Sequence, residues 1–365
     1  MSGGALRRGL TIGALVAALA ACAAPASQPA SQPPGGAPPA SGAPAAGGGA
    51  AAAGSAPAAP APPATATRPP TQRVAIGVPD PSLAYLPAHV AWKRGFFEEE
   101  GLAVEFPQVT GNAIIPSLLS GDIDFTTNLS SIGSHAGQGG PSKILQFHSV
   151  KLQHVLVVNP AITDVLQLSG KRITVQSPGT LPSFEAQKMA DHYGLRDVTM
   201  LSAGSEPERL ATLEAGASDA YVASVPGNII AERRGYPTLL RFSTVLDVPQ
   251  AGLGTSEDEL RNKPDLIERA LRASARALPV LHTDRDAVVQ MIADWIALSP
   301  EDAARAYDFV IDTFSANGIP TEAQQRAYLG LMQETANVPA DATPDRIFDF
   351  ALARKVAGEL GLPNQ

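Results

Sequence analysis

The sequence predicts a two-lobed α/β protein in which each lobe contains a mixed, mainly parallel sheet flanked by helices. The stretch 171–224 has the pattern strand, helix, strand, helix, strand, and the stretch 73–128 repeats it. The matched glycines are Gly101 and Gly111 in the first unit and Gly194 and Gly204 in the second, ten positions apart in each. Two βαβαβ units indicate two parallel-sheet lobes, with a ligand cleft where the carboxyl ends of their strands face each other.

The first residues are predicted to be a targeting segment. Arg7 and Arg8 give a positive start, and the apolar run 10–19 that follows is too short to span a bilayer. Cys22 is the only cysteine, so it has no disulfide partner within the chain. The tetrapeptide ending at Cys22 resembles a bacterial lipobox, which implies a signal peptide over 1–21 and a lipid on Cys22. The alternative is an ordinary signal peptide followed by a chance cysteine.

The next segment, 22–72, is predicted to be a disordered tether. After Cys22 it is almost entirely Ala, Pro, Gly, Ser and Thr, with no acidic residue and one basic residue, Arg68. Such a composition cannot bury a core, and a flexible coil of about 50 residues spans roughly 40 Å. A lipid at one end and a folded domain at the other would hold a soluble protein near a membrane.

The folded part is predicted to begin at residue 73. It holds 35 acidic and 24 basic residues, a net charge of −11, which argues against nucleic-acid binding. We expect 73–157 together with 245–365 to form the first lobe, and 158–244 to form the second. The apolar Val155–Val158 is predicted to belong to the crossover into the second lobe, and 245–254 to return the chain to the first.

From residue 257 onward the apolar spacing is helical, and these helices are predicted to pack on the first lobe. Pro279 is expected to kink or end the helix that begins at Pro264. Ser299 is predicted to cap another helix. Further helices are predicted over 286–298, 321–336 and 344–360.

Four strings then resemble a known family, in the order in which the family has them. They are RGFFEEEGLAVEF, LLSGDIDF, LSGKRITVQSPGT and LEAGASDAYV. They resemble the ABC-transporter substrate-binding proteins for aliphatic sulfonates, taurine, nitrate and pyrimidine precursors of thiamine, over about 73–260. The resemblance implies a type II periplasmic-binding fold with two crossing segments as a hinge. It also implies a monomeric, extracytoplasmic protein without enzyme activity or cofactor, which delivers a small molecule to an ABC permease and its ATPase.

The resemblance also implies ligand contacts from the loops at the strand ends. The matching positions are Asp80, Ser82, Tyr85, Thr110, Asn112, Thr127, Asn128 and Ser130 in the first lobe, and Ser177, Gly179, Thr180, Gly204, Tyr221 and Ser224 in the second. Hydroxyls and free backbone N–H groups at helix starts suit an anionic or carbonyl oxygen. Tyr85 and Tyr221 could stack on a planar solute. The alternative for each residue is ordinary turn and capping chemistry.

Motifs for other chemistry are missing from the sequence. It contains no Gly-x-Ser-x-Gly, phosphate-binding loop or His-Glu-x-x-His. His148 and His154 would lie about 20 Å apart on one strand, too far to share a metal, so we expect them to be structural. With Cys22 as the only cysteine, the cysteine-rich iron motif of a related fungal pyrimidine-forming group is not supported.

Two other functions remain open on the sequence. One is an enzyme of vitamin or menaquinone biosynthesis on the same fold, although a lipobox would be odd for a cytoplasmic enzyme. The other is a ligand-sensing lipoprotein without a transport role. The predicted strand-end loops contain no Lys or Arg, which favours a neutral or aromatic solute such as a vitamin precursor over a sulfonate or nitrate.

Overall fold

The computed structural model describes residues 71–79 and 81–363. The expected signal peptide, Cys22, Asp80 and the tether as far as residue 70 lie outside the described residues. Among the residues described, no helix combines the length and the apolar character needed to cross a bilayer.

Within the described residues, ten strands form two five-stranded sheets. They are β1 (Gln72–Gly77), β2 (Leu102–Glu105), β3 (Phe125–Thr126), β4 (Ser142–Ser149), β5 (Val155–Val158), β6 (Arg172–Val175), β7 (Thr199–Ser202), β8 (Ala220–Ala223), β9 (Thr238–Arg241) and β10 (Ala251–Ser256). The first lobe has the order β2–β1–β3–β10–β4 and the second the order β7–β6–β8–β5–β9. Strand β1 pairs in parallel with β2 and β3, and β6 pairs in parallel with β7 and β8. The two predicted βαβαβ units are therefore confirmed, one in each lobe.

Helices cover these sheets. They are α1 (Leu86–Lys93), α2 (Phe96–Glu99), α3 (Ile114–Ser120), α4 (Leu129–Gly137), α5 (Leu181–His192), α6 (Glu206–Glu214), α7 (Gly227–Arg233), α8 (Glu257–Asn262), α9 (Pro264–Thr283), α10 (Arg285–Ile296), α11 (Pro300–Val310), α12 (Glu322–Thr335), α13 (Pro344–Ile347) and α14 (Ala351–Glu359). Helix α9 packs on α1, α2 and α14, while α12 and α13 pack on α4. The prediction that the C-terminal helices pack on the first lobe is confirmed. Ser299 caps α11, as expected, by accepting a hydrogen bond from the backbone N–H of Asp302.

The chain crosses between the lobes at 150–154 and again at 245–250. The first crossing lies earlier than the expected boundary at residue 157, because β5 belongs wholly to the second sheet, where it pairs with β8 and β9. All four residues of β5 are fully buried. A strand that is apolar on both faces is most stable inside a sheet covered on both sides, and the centre of the second sheet provides that position.

Two helix ends also differ from expectation. Pro279 lies inside α9, which continues to Thr283; Leu278 and Leu281 are both fully buried, and their burial favours continuing the helix. The helix expected over 344–360 is divided into α13 and α14. Between them Phe348 and Phe350 stack with ring centroids 5.4 Å apart, and both are buried in the core of the first lobe. Burying both rings requires an extended segment that a continuous helix would not allow.

Candidate functional site: the cleft between the lobes

Two helix N-termini from opposite lobes meet in the cleft. Asn128 follows β3 and caps α4, where its Oδ1 accepts hydrogen bonds from the Ser131 backbone N–H at 3.2 Å and the Ser130 hydroxyl at 3.0 Å. Helix α5 of the second lobe begins at Leu181, after a turn that follows β6. The Leu181 backbone N–H donates to Ser130 Oγ at 3.2 Å. The lobes are therefore in direct contact at the point where both helix dipoles present their positive ends.

A cavity of about 40 Å³ lies at this junction. A water needs about 10–15 Å³ of such space, so the cavity has room for roughly three waters. A solute of more than a few heavy atoms therefore requires the lobes to open further. Six of the residues predicted from the sequence line this cavity: Ser82, Tyr85, Thr127, Asn128, Ser130 and Ser224.

Arg209, which the sequence prediction did not include, also lines the cavity. It lies in α6 and is 3 % exposed, and its guanidinium donates to Glu206 Oε2 at 2.6 Å and to the Gly204 carbonyl at 3.1 Å. The strand-end loops considered in the sequence analysis contain no Lys or Arg, but a helix residue brings a cation to the cavity. A cation suited to oxyanions is present, and it is paired with a carboxylate.

Glu206 connects this cation to the other predicted residues of the second lobe. Its Oε2 accepts hydrogen bonds from the Ser224 hydroxyl at 2.7 Å and from the Ser224 backbone N–H at 3.2 Å. Its Oε1 lies so close to Gly227 that a Cβ there would be 2.1 Å from the oxygen. The missing side chain of Gly227 thus allows the carboxylate to hold Arg209 and Ser224 in one network.

Tyr221 does not lie in the cleft. It is fully buried in the core of the second lobe, and its hydroxyl donates to the Gly227 carbonyl at 3.5 Å. Burial raises the pKa of this phenol far above its usual value. The expectation that Tyr221 stacks on a solute is therefore wrong, because β8 is covered on both faces and its side chains point into cores. Tyr85 does line the cavity.

Other predicted residues lie away from this cavity. Asn112, Gly179 and Thr180 line a separate cavity of about 320 Å³. The Thr180 hydroxyl donates to the Ser177 carbonyl at 2.6 Å, which is turn chemistry. Thr110 lines neither cavity, the buried Ser177 hydroxyl has no hydrogen-bond partner among the described residues, and Gly204 contributes only its carbonyl, to Arg209.

The two crossing segments meet beside the cleft. His154 and Gln250 both line the cavity, and their side-chain nitrogens Nε2 lie 3.3 Å apart. His154 Nδ1 lies 3.0 Å from Oε1 of Glu185, a fully buried residue of α5. Burial raises the pKa of the Glu185 carboxyl, while His154 opposes that shift. The sequence offered no signal for this cluster, because its members come from three separate segments.

The other histidine in question, His148, is structural. It is fully buried, and its Nε2 lies 2.6 Å from the Ser274 hydroxyl of α9. Burial lowers the pKa of His148 to about 3. No group of three or more His, Cys, Asp or Glu with metal-binding geometry occurs in the part of the chain that the structure describes.

The family model described as NMT1/THI5 like matches residues 83–287, more than half of the chain. The chain belongs to the NMT1/THI5-like family. The resemblance read from the four sequence strings is confirmed. No curated protein matches this NMT1/THI5-like chain.

Solved structures resemble this NMT1/THI5-like chain over most of its length. The periplasmic nitrate-binding protein NrtA from Synechocystis PCC 6803 is 16% identical with a TM-score of 0.67, over 80% of this chain and 90% of that one. The sulfonate-binding protein SsuA of a sulfonate ABC transporter from Methylobacillus flagellatus KT is 16% identical with a TM-score of 0.61, over 80% of this chain and 96% of that one. The desulfurization enzyme DSZB is 15% identical with a TM-score of 0.55, over 79% of this chain and 100% of that one. The predicted two-lobed periplasmic-binding-protein fold is confirmed.

Proposed function

We propose that this chain is the extracytoplasmic solute-binding component of an ABC importer. It captures a small organic solute or an oxyanion between its lobes and delivers it to a membrane permease and its ATPase. The observation that carries the proposal is the convergence of α4 and α5, from opposite lobes, on one polar cavity between Ser130 and Leu181. A solute held there would contact both lobes, so binding would favour the closed form.

The chemistry of the cleft favours a solute that carries oxygen acceptors. Two helix N-termini, the Arg209 guanidinium and the Ser224 hydroxyl all lie at the cavity. Helix N-termini and guanidinium groups are the usual partners of anionic oxygens. Structures named for nitrate and sulfonate binding share this fold and add support. Sulfonates and nitrate are therefore the first solutes to test, before pyrimidines and other vitamin precursors.

The test is a thermal-shift screen of the purified protein with nitrate, taurine, ethanesulfonate, hydroxymethylpyrimidine and riboflavin. A solute that binds only the folded state raises the melting temperature by mass action. We expect one class of these solutes to raise it, and small-angle scattering to show compaction with that solute. Binding without any compaction would contradict the two-lobe clamp.

An enzyme is the second candidate, and one observation favours it. The buried Glu185 carboxyl contacts the His154 imidazole, which itself lines the cavity, and such pairs serve as acid–base groups in enzymes. An enzyme of desulfurization shares the fold. Incubating the protein with the solute that binds and following it by NMR separates the two functions, because a binding protein returns the solute unchanged.

Measuring solute uptake by the host distinguishes a component of an importer from a sensor without a transport role. Deleting the chain from its host should abolish import of the labelled solute if the chain serves an importer. Unchanged import, with an altered transcriptional response to the solute, would instead support sensing.

We also propose that the protein is held at the membrane by a lipid on Cys22, which lies outside the described residues. Support comes from the lipobox-like run before Cys22 and from the Ala- and Pro-rich segment after it. The segment would serve as a tether between the lipid and the solute-binding domain, keeping the domain within reach of a permease.

A further inference from the structure

A second pocket, rich in aromatic rings, lies on the first lobe beside the cleft cavity, with which it shares Tyr85. Its volume is about 610 Å³, within the usual range for ligand pockets. Both tryptophans of the chain, Trp92 and Trp295, line it.

The rings form adjoining walls of a cup and not one flat face. His89 stacks on Trp295 with centroids 4.1 Å apart. The planes of His89 and Trp92 meet at 61°, and those of Trp92 and Phe106 at 74°. Trp92 is 38% exposed, which is unusual for a side chain of this size. Rings at such angles can present several π-faces to one small group.

The charges around the pocket favour a cation. Glu105 is the only charged side chain among the described lining residues. Its ion pair with Arg73, at 2.7 Å, is exposed on both sides and therefore weak, so the carboxylate can serve another cation. Burial lowers the pKa of His89 to about 4, so its ring is uncharged near neutral pH and does not repel a cation. The Trp92 ring system already attracts one cation outside the pocket lining, since the Lys93 ammonium lies 4.4 Å from the centre of one of its rings.

We propose that this pocket binds an alkylated ammonium group, with the aromatic rings as its cage and Glu105 as its counter-ion. A quaternary ammonium donates no hydrogen bonds, so it is recognised by cation–π attraction and an acidic neighbour and not by polar contacts. Tryptophan has the strongest such attraction of the three aromatic side chains. The volume exceeds that of a trimethylammonium group, which leaves room for the rest of the ligand.

The test compares two probes of the same shape. Choline and 3,3-dimethylbutan-1-ol differ in that a neutral carbon replaces the charged nitrogen. Calorimetric titration of the full chain should show choline binding at least fivefold more tightly, and tryptophan emission should change on binding because both tryptophans line the pocket. Equal or tighter binding of the neutral alcohol would overturn the proposal, since it would identify a merely hydrophobic pocket. Failure of choline to bind below about 10 mM would also overturn it.

Substitutions of pocket residues test whether choline binds in this pocket. Trp295→Leu should weaken choline binding at least tenfold and Glu105→Gln about threefold, while Leu166→Ala, at an exposed apolar residue of the second lobe, should leave it unchanged. Val104→Phe, which fills the pocket without removing an aromatic ring, should also abolish binding and serves if Trp295→Leu does not fold. Loss of binding in Asn128→Ala but not in these pocket variants would place choline in the cleft and overturn the proposal.

A free solute and a lipid headgroup both carry this chemistry, and a flotation assay separates them. The parent protein and Trp295→Leu, each also carrying Cys22→Ala so that no lipid on that residue can hold it to a bilayer, are mixed with vesicles of phosphatidylcholine or of phosphatidylglycerol. A headgroup site would be identified if the parent floats with phosphatidylcholine vesicles but not with phosphatidylglycerol vesicles, if free choline prevents this flotation, and if Trp295→Leu does not float. Choline binding in solution without such flotation would identify a site for a free solute.

Discussion

Ser130 of the first lobe accepts a hydrogen bond from the backbone N–H of Leu181 in the second lobe at 3.2 Å. The same hydroxyl donates to Asn128 Oδ1 at 3.0 Å, so both of its hydrogen-bonding roles are used. Ion pairs of Lys188 with Glu334 and of Arg305 with Glu232 also join the second lobe to the C-terminal helices. The closed form thus has stabilising contacts of its own, to which a bound solute would add.

Removing the Ser130 hydroxyl should favour opening of the cleft. A single hydrogen bond of this kind contributes about 1 kcal/mol, so Ser130→Ala should raise the ratio of open to closed molecules about fivefold. Small-angle scattering without solute should show a larger radius of gyration than in the parent. Ser131→Ala is the matched control, because Ser131 joins this network through its backbone N–H, which the substitution keeps. Equal scattering from all three proteins would contradict a role for Ser130 in closure.

Asn128 and Thr180 should differ in their effect on solute binding, although the sequence places both on facing walls. Asn128 lines the cleft cavity, so Asn128→Ala should weaken binding of the solute found by thermal shift about ten- to hundredfold. The Thr180 hydroxyl is used within its own turn, so Thr180→Ala should weaken binding less than about threefold. Calorimetry measures both. A larger effect of Thr180→Ala would mean that the solute reaches the separate cavity lined by Asn112, Gly179 and Thr180.

Neutralising Glu206 should strengthen the binding of anions. Its carboxylate shares Oε2 between Arg209 and Ser224, and Glu206→Gln keeps the shape while leaving the positive charge of Arg209 less compensated. We expect affinity for nitrate or a sulfonate to rise by about three- to tenfold, which corresponds to roughly 1 kcal/mol. Affinity that falls for every anion would show that Glu206 matters chiefly by positioning Arg209.

His148 should make the folded state less stable in acid. Burial holds its pKa at about 3, against about 6.5 in an unfolded chain. The unfolded state therefore binds the extra proton between these values, so the contribution is complete above pH 6.5 and is lost as the pH falls toward 3. Urea unfolding should show about 2 kcal/mol of this loss between pH 7 and pH 5 in the parent. In His148→Gln the loss of unfolding free energy between pH 7 and pH 5 should be smaller by this amount. An identical pH dependence of stability in both proteins would contradict the role of His148.

Cys22→Ala should release the protein from the membrane fraction if a lipid on Cys22 is the anchor. Cys22 precedes the folded part that the sequence predicts from residue 73, so the melting temperature and solute affinity of the released protein should equal those of the parent. Fractionation after a high-salt wash measures the release. A variant that remains with the membrane would show that another segment anchors the chain.

The amino-acid sequence is enough to predict the two βαβαβ units and, with the family resemblance, much of one wall of the site. Glycine spacing and apolar periodicity are local, and they located the strands and the strand-end loops. The family resemblance implies Asn128, Ser130 and Ser82 as contacts, and strand-end placement agrees with it, because a loop after a parallel strand must lie at the carboxyl edge of its sheet. The scaffold helices followed from their apolar stripes.

Which of these residues face one another depends on how the two lobes pack together. Arg209 reaches the cleft from within a helix, and His154 and Gln250 reach it from the two crossings, positions that depend on how the lobes meet. Tyr221 turns into a core because helices cover both faces of its sheet. Side-chain direction and the mutual orientation of two lobes are set by long-range burial, which no local pattern encodes.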